Sequence, residues 1–183
     1  IKMKLLEKLA EVSMGDLNGI QLYDSGTTAV EAGIRAARAA TGKDEFIAFF
    51  RDFHGKTRDS VSCAAMKPAN GVRSPGFVMA PRPNCYRCPF GLEYPQCSLH
   101  CADFIETTID NATTGRVAAV VIEPVQGWGG AVLPPEGCFP KLRKMCDERG
   151  ILLFADEVLM GTGRSGKMWC MEHYDTQPDI MTI

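Results

Sequence analysis

Leu5, Leu6, Leu9 and Val12 recur at helical spacing within an otherwise charged segment, and Gly15 follows where a left-handed turn can end a helix. The pattern predicts an amphipathic surface helix over residues 3–14. A short apolar run at 20–23 reads as a strand that passes through Asp24-Ser25-Gly26-Thr27 into an alanine-rich helix over 28–40, closed by Gly42. Thr28 and Glu31 have the spacing of a capping box, which sets the predicted start of that helix. Four more apolar runs have strand length: FIAFF at 46–50, GFVMA at 76–80, VAAVVI at 117–122 and ILLFA at 151–155. None alternates with polar residues, so each is expected to be buried on both faces.

Helical patterns at 99–112 and 139–149 separate the last three runs, the second stopped by Gly150 with basic residues in its final turns. Strand and helix therefore alternate. That order predicts an α/β fold, a mainly parallel sheet flanked by helices, with any ligand site in the crevice at the strand C-terminal ends. The irregular stretch is 81–97, rich in proline, cysteine and aromatic residues.

A chain of 183 residues, 45% hydrophobic and 23% charged, can build a core without staples. A domain of this size removes roughly 70% of its unfolded surface from water. The composition excludes a disordered chain, a collagen-like repeat and a disulfide mini-scaffold. With 20 basic and 22 acidic side chains the net charge is −2. No broad positive field exists to hold nucleic acid or an anionic membrane, so neither is an expected partner. No window approaches the roughly 18 apolar residues of a bilayer span, and the first residues build no secretory core, so a cytoplasmic location is expected. The start at Ile1 and an ending without a helix stop lead us to expect a piece of a longer chain.

Four strand ends carry polar chemistry: Ser25-Gly26-Thr27, Phe53-His54-Gly55, Glu123-Pro124 and Asp156-Glu157. At the first, two hydroxyls, free backbone amides and the positive end of a helix face one point, as an anion site requires. A capped helix without a ligand needs the same residues, so both readings stand there. Asp156 ends the most apolar strand, where a carboxylate is costly unless it meets a cation or strong donors. Cys85, Cys88, Cys97 and Cys101 are separated by two, eight and three intervening residues, with His100 alongside. Reduced thiols in an ordered loop are the favoured reading, and a zinc or iron–sulfur module is the alternative. GTGRSGK at 161–167 has the glycine and lysine positions of a phosphate-binding loop, but Met168 follows where magnesium chemistry needs a hydroxyl.

The segments LYDSGTTAVEAGIRAAR, DFHGKTRDS, VVIEPVQGWGGAVLPP and ILLFADEVLMGTGRSGKMWCMEHYDTQPDIMTI resemble, in order, those of class III (omega) aminotransferases, pyridoxal-phosphate enzymes of fold type I. The resemblance implies that residues 1–183 are part of the cofactor-binding large domain, and that the parent is a homodimer. By the same resemblance Ser25, Gly26 and Thr27 bind the phosphate of pyridoxal 5'-phosphate, while Phe53 and Val158 cover the two faces of its ring. Asp156 pairs with the protonated ring nitrogen and Glu123 faces the substrate. His54, next to Phe53, reads either as positioning the ring or its loop or, as is commoner for such a histidine, as making a structural hydrogen bond. The implied reaction moves an amino group from an omega-amino acid, amine or alpha-amino acid to a keto acid. Decarboxylation, racemisation and aminomutation occur on the same cofactor-holding residues and remain alternatives.

Two positions depart from the family pattern. Leu159 stands where a glutamine contacts the ring hydroxyl, and Thr28 where an acid is common. Trp128 occupies a turn that more often carries a small or charged residue, where it either narrows the substrate pocket or closes the loop as a partly exposed aromatic. The lysine that binds the cofactor covalently is expected a few residues beyond Pro178-Asp179-Ile180, so this piece alone is not expected to transfer amino groups. Lys167 is expected to be a surface side chain.

Overall fold

The computed structural model describes residues 1–64 and 73–183. Five strands form one sheet, β1 (Glu45–Phe49), β2 (Phe77–Ala80), β3 (Val117–Ile122), β4 (Leu152–Asp156) and β5 (Ile180–Thr182). All neighbours pair in parallel. Among the described residues five α-helices accompany them: α1 (Lys2–Val12), α2 (Gly26–Thr41), α3 (Arg58–Cys63), α4 (His100–Ala112) and α5 (Cys138–Arg149). The expected α/β architecture is therefore present, with the four predicted long strands and four predicted helices within two residues of their sequence positions. No helix among the described residues is long and apolar enough to cross a membrane.

Two clusters of buried side chains lie on opposite faces of the sheet. Ile47, Phe49, Val120, Ile122, Leu153 and Ala155 point toward α4 and α5. Phe46, Ala48, Ala119, Val121 and Phe154 point toward α2 and α3. Alternate residues of one strand enter opposite cores, which is why the runs show no polar alternation. Small residues let α2 approach closely: a methyl group on Gly33 would run into the Phe154 ring.

The strand order β2-β1-β3-β4-β5 contains one reversal of direction. From β1 the chain moves outward to β2, then returns across β1 to place β3 on its other side. A crevice opens at the C-terminal ends of β1 and β3, where the connecting segments diverge.

Three expectations change. Residues 20–23 are not a strand: Leu22 and Tyr23 are exposed and no strand pairs with them. An apolar run without a pairing partner leaves its backbone to water. The second helix starts at Gly26, capped by Ser25, whose Oγ accepts from the Thr28 amide at 3.3 Å while Thr28 Oγ1 accepts from the Ser25 amide at 3.2 Å. A hydroxyl at the third helical position closes the box, and Glu31 is released from it. Its carboxylate instead accepts from Thr57 Oγ1 and the Asp59 and Ser60 amides, capping α3 from outside. Gly15, finally, has φ of +53° in a turn beyond the C-cap residue Ser13.

Candidate active site

The ends of β1, β3 and β4 and the start of α2 enclose a pocket of about 160 Å³. Gly26 and Thr27 line it from α2, Phe53, His54 and Gly55 from the segment after β1, and Glu123 and Trp128 from that after β3. Asp156, Val158 and Leu159 complete it beyond β4. Four segments far apart in sequence thus meet at one point.

The first turn of a helix leaves its amides without intrahelical acceptors. The Thr28 amide is taken by Ser25, and among the described residues nothing accepts from the amides of Gly26 and Thr27. Ser25 itself does not line the pocket, and its hydroxyl is used in the cap. Gly55, at φ +136°, brings the β1 loop against this turn: a side chain there would meet Thr27 Oγ1 at 2.5 Å. At Gly26 a methyl group would lie 2.7 Å from Val158 Cγ1, so the β4 loop packs directly on the helix start.

Asp156 is 4% exposed. Its Oδ1 accepts from the Val158 amide and from Thr182 Oγ1, both at 3.1 Å, and its Oδ2 lies 2.7 Å from His54 Nδ1. His54 is 2% exposed. Burial alone would strip its proton, but the hydrogen bond to Asp156 and the nearby Asp52 outweigh it and carry its pKa up to about 10. His54 is therefore an imidazolium at neutral pH, donating from Nδ1 to Asp156. On its other side Nε2 lies 3.6 Å from Asp52 Oδ2, an ion pair too long to be a hydrogen bond.

Glu123 accepts from the Phe53 amide at 2.7 Å through Oε1 and from the Gly127 amide at 2.8 Å through Oε2. It ties the β1 and β3 loops together at the pocket. Burial and then the charge of Asp52 push its carboxyl upward, and the two amides pull it back. Glu157, the neighbour of Asp156, faces away and accepts from the Cys170 and Met171 amides of the 3-10 turn Cys170–Tyr174. The expected pair of strand-end acids thus divides between pocket and core.

Phe53 packs against Trp128, ring centroids 5.4 Å apart, and Trp128 remains 69% exposed at the mouth. Leu159 covers Gly127, where an added methyl group would run into Leu159 Cδ2. Lys167 is exposed, donates to the Glu172 carbonyl and does not line the pocket. The glycine loop before it leads into a 3-10 turn, not the helix a phosphate loop requires.

Cys85, Cys88, Cys97, His100 and Cys101 line a separate small cavity. Among the described residues no three His, Cys, Asp or Glu side chains are grouped to hold a metal ion, and all eight cysteines are free thiols. A hydrogen bond with Cys138 lowers the Cys101 pKa to about 7 against the opposing effect of burial.

Sequence reasoning missed Asp52 and Thr182, which face His54 and Asp156, and Arg82 and Gln126, which hold Asp52. An acid two residues before His54, and an arginine between two prolines just after β2, were the available signals.

The family profile described as "Aminotransferase class-III" matches residues 2–183. The chain belongs to the class-III aminotransferase family. It is 36% identical over 184 residues to a protein of Thermococcus litoralis named leucine/methionine racemase, covering 98% of this chain and 41% of that protein. Its structure superposes with a TM-score of 0.91 on an (S)-enantioselective omega-transaminase from Thermomicrobium roseum, at 32% identity, covering 98% of this chain and 42% of the other. A TM-score of 0.86 relates it to a taurine:2-oxoglutarate aminotransferase of Bifidobacterium kashiwanohense in complex with pyridoxal phosphate and glutamate, at 29% identity and 98% and 42% coverage. The chain spans 36–42% of the length of the curated relatives it matches.

Proposed function

We propose that residues 1–183 form the cofactor-binding part of the large domain of a pyridoxal-phosphate-dependent aminotransferase, which acts as a homodimer. The observation that carries this reading is the placement of Asp156 across one pocket from the free amides of Gly26 and Thr27. A carboxylate and a pair of helix-start donors suit the two poles of one ligand, a cationic ring nitrogen and a phosphate. The close contacts of Gly26 and Gly55 support the fit, since any side chain at either would enter the packed helix start beside the pocket.

In this reading the α2 start, including Ser25 through its cap, holds the phosphate. Phe53 and Val158 bracket the ring, and Asp156 anchors its nitrogen. His54 fixes Asp156, while Glu123 holds Phe53 and the Gly127 turn at the substrate side. Bound pyridoxal phosphate would supply an electron sink for negative charge developing on the substrate. Leu159 cannot donate a hydrogen bond, so the β4 loop contributes only apolar contact beside Val158. Phe53, Trp128, Val158 and Leu159 give the pocket its apolar walls.

The reaction proposed for the whole protein is amino transfer from a small amino donor to a keto acid. The test is the product of the complete reading frame, supplied with pyridoxal phosphate, a panel of amines and amino acids, and pyruvate or 2-oxoglutarate. Keto acid should be converted to amino acid, and Asp156→Asn should slow conversion by about a hundredfold or more. No conversion with any pair would overturn the reading. The likeness to a protein named a racemase favours a second activity, detected as loss of optical rotation from an amino acid without any keto acid.

A further inference from the structure

Behind the pocket, four charged side chains from three strand ends stand in a row of alternating sign: Arg82 after β2, Asp52 and His54 after β1, and Asp156 at the end of β4. We propose that Asp52 and Arg82 are positioning residues which act through His54 to hold the Asp156 carboxylate in one orientation toward the pocket. The role toward a ring nitrogen rests on the proposed cofactor reading, whereas the coupling among the four residues does not.

Each of the four is buried, the most accessible, Arg82, being only 5% exposed. Asp156 Oδ1 is fixed by the Val158 amide and Thr182, so only Oδ2 needs a partner, and His54 Nδ1 supplies it at 2.7 Å. An imidazole ring held at one nitrogen can still swing about its bond to the chain. Asp52 opposes that swing by drawing Nε2, which has no hydrogen-bond partner, from 3.6 Å. Asp52 is itself immobilised: Gln126 Nε2 donates to its Oδ1, and the Glu123 amide and Arg82 Nη1 reach its Oδ2 at 3.4 and 3.5 Å. Arg82 Nη2 closes the chain on the Glu123 carbonyl at 2.7 Å.

Two further groups face the imidazolium neighbourhood. Glu123 is near enough for its charge to be felt, but both its oxygens are occupied by backbone amides. The Cys63 thiol of α3 lies on the Asp156 side, and burial keeps it protonated. Neither replaces Asp52 as the partner of Nε2.

Buried ion chains seldom stabilise a fold more than apolar packing would, so orientation is the better account of this one. A cationic ring nitrogen at Asp156 would extend the alternation by one more charge, and loss of Asp52 should be felt there through two intervening contacts.

The experiment is performed on the 183-residue chain. His54 side-chain nitrogen resonances, assigned by their loss in His54→Gln, are followed from pH 6 to pH 9 in the wild type and in Asp52→Asn. The wild-type ring should remain doubly protonated to about pH 9, and Asp52→Asn should lower its midpoint by about 1–3 units. Binding of pyridoxine 5'-phosphate, which has the ring nitrogen and phosphate but no aldehyde to require a lysine, is measured by ring fluorescence. Asp52→Asn should weaken it about tenfold, and Arg82→Lys less than Arg82→Met, with competition by inorganic phosphate unchanged.

A neutral His54 at pH 8 in the wild type overturns the proposal without any variant. So does an Asp52→Asn chain with the wild-type midpoint and affinity. If pyridoxine 5'-phosphate fails to bind the wild type while the His54 midpoint still falls in Asp52→Asn, the ion chain is supported and the cofactor reading fails.

Discussion

At the edge of the sheet where the strands begin, Arg149 bonds Glu106 and Asp110, and Arg116 bonds Asp44, with every partner partly or largely exposed. At the opposite edge Arg82, Asp52, His54 and Asp156 meet in the dark interior below the pocket. Both edges hold oppositely charged side chains at similar distances. Water and salt screen the first set, so each pair contributes little and tolerates loss of a partner. In the second set every charge depends on its neighbour, because an orphan there has no water to replace it. The contrast separates ion pairs that decorate a surface from charges locked together in the interior.

The most severe break of this contrast is Asp156→Ala, which leaves the imidazolium with only the longer contact to Asp52. Unfolding in urea should show a loss of about 3–5 kcal/mol. A loss below about 1 kcal/mol would put the two edges in the same class.

Next in size is the dependence on pH. His54 has its pKa raised from 6.5 to about 10 in the folded chain, so its contribution is fully present below pH 6.5 and is lost as pH rises toward 10. The free energy of unfolding in urea should fall across that window by an amount on the order of a few kcal/mol, and less steeply in Asp52→Asn. A flat profile between pH 6.5 and 9.5 would contradict the buried imidazolium.

Glu31 is an intermediate case, a half-exposed carboxylate that accepts from Thr57 Oγ1 and two amides at the start of α3. Glu31→Ala should cost about 1–2 kcal/mol, as removal of a helix cap does. The smallest effect is expected for Arg149→Ala, at most about 1 kcal/mol in low salt and less at high salt. A larger, salt-insensitive loss would show that the exposed edge also holds structure.

Much of the fold was legible because its strands are buried on both faces: VAAVVI and ILLFA admit few other readings. What escaped was decided by packing. β5 has only three residues and becomes a strand by pairing with β4. Residues 20–23 have a strand's composition but no partner. The lining of the pocket was legible where chain order carries it, at Gly26-Thr27, Phe53-His54, Glu123, Asp156 and Val158, each close to the end of a regular element. The Thr28–Glu31 pair had the right spacing for a cap, yet Ser25 lay nearer to the helix start and Glu31 found donors on α3. Asp52 and Arg82 were hidden because their meaning lies 30 residues apart in sequence and 3.5 Å apart in space. No local pattern reports such a contact.

The most direct test of the central claim is to titrate the isotope-labelled chain with pyridoxine 5'-phosphate and follow its backbone amide resonances. The account predicts a saturable response at Gly26, Thr27, Phe53, Gly55 and Val158, with inorganic phosphate alone shifting only Gly26, Thr27 and their immediate neighbours. No saturable response, or one confined to the cysteine-lined cavity, would contradict it.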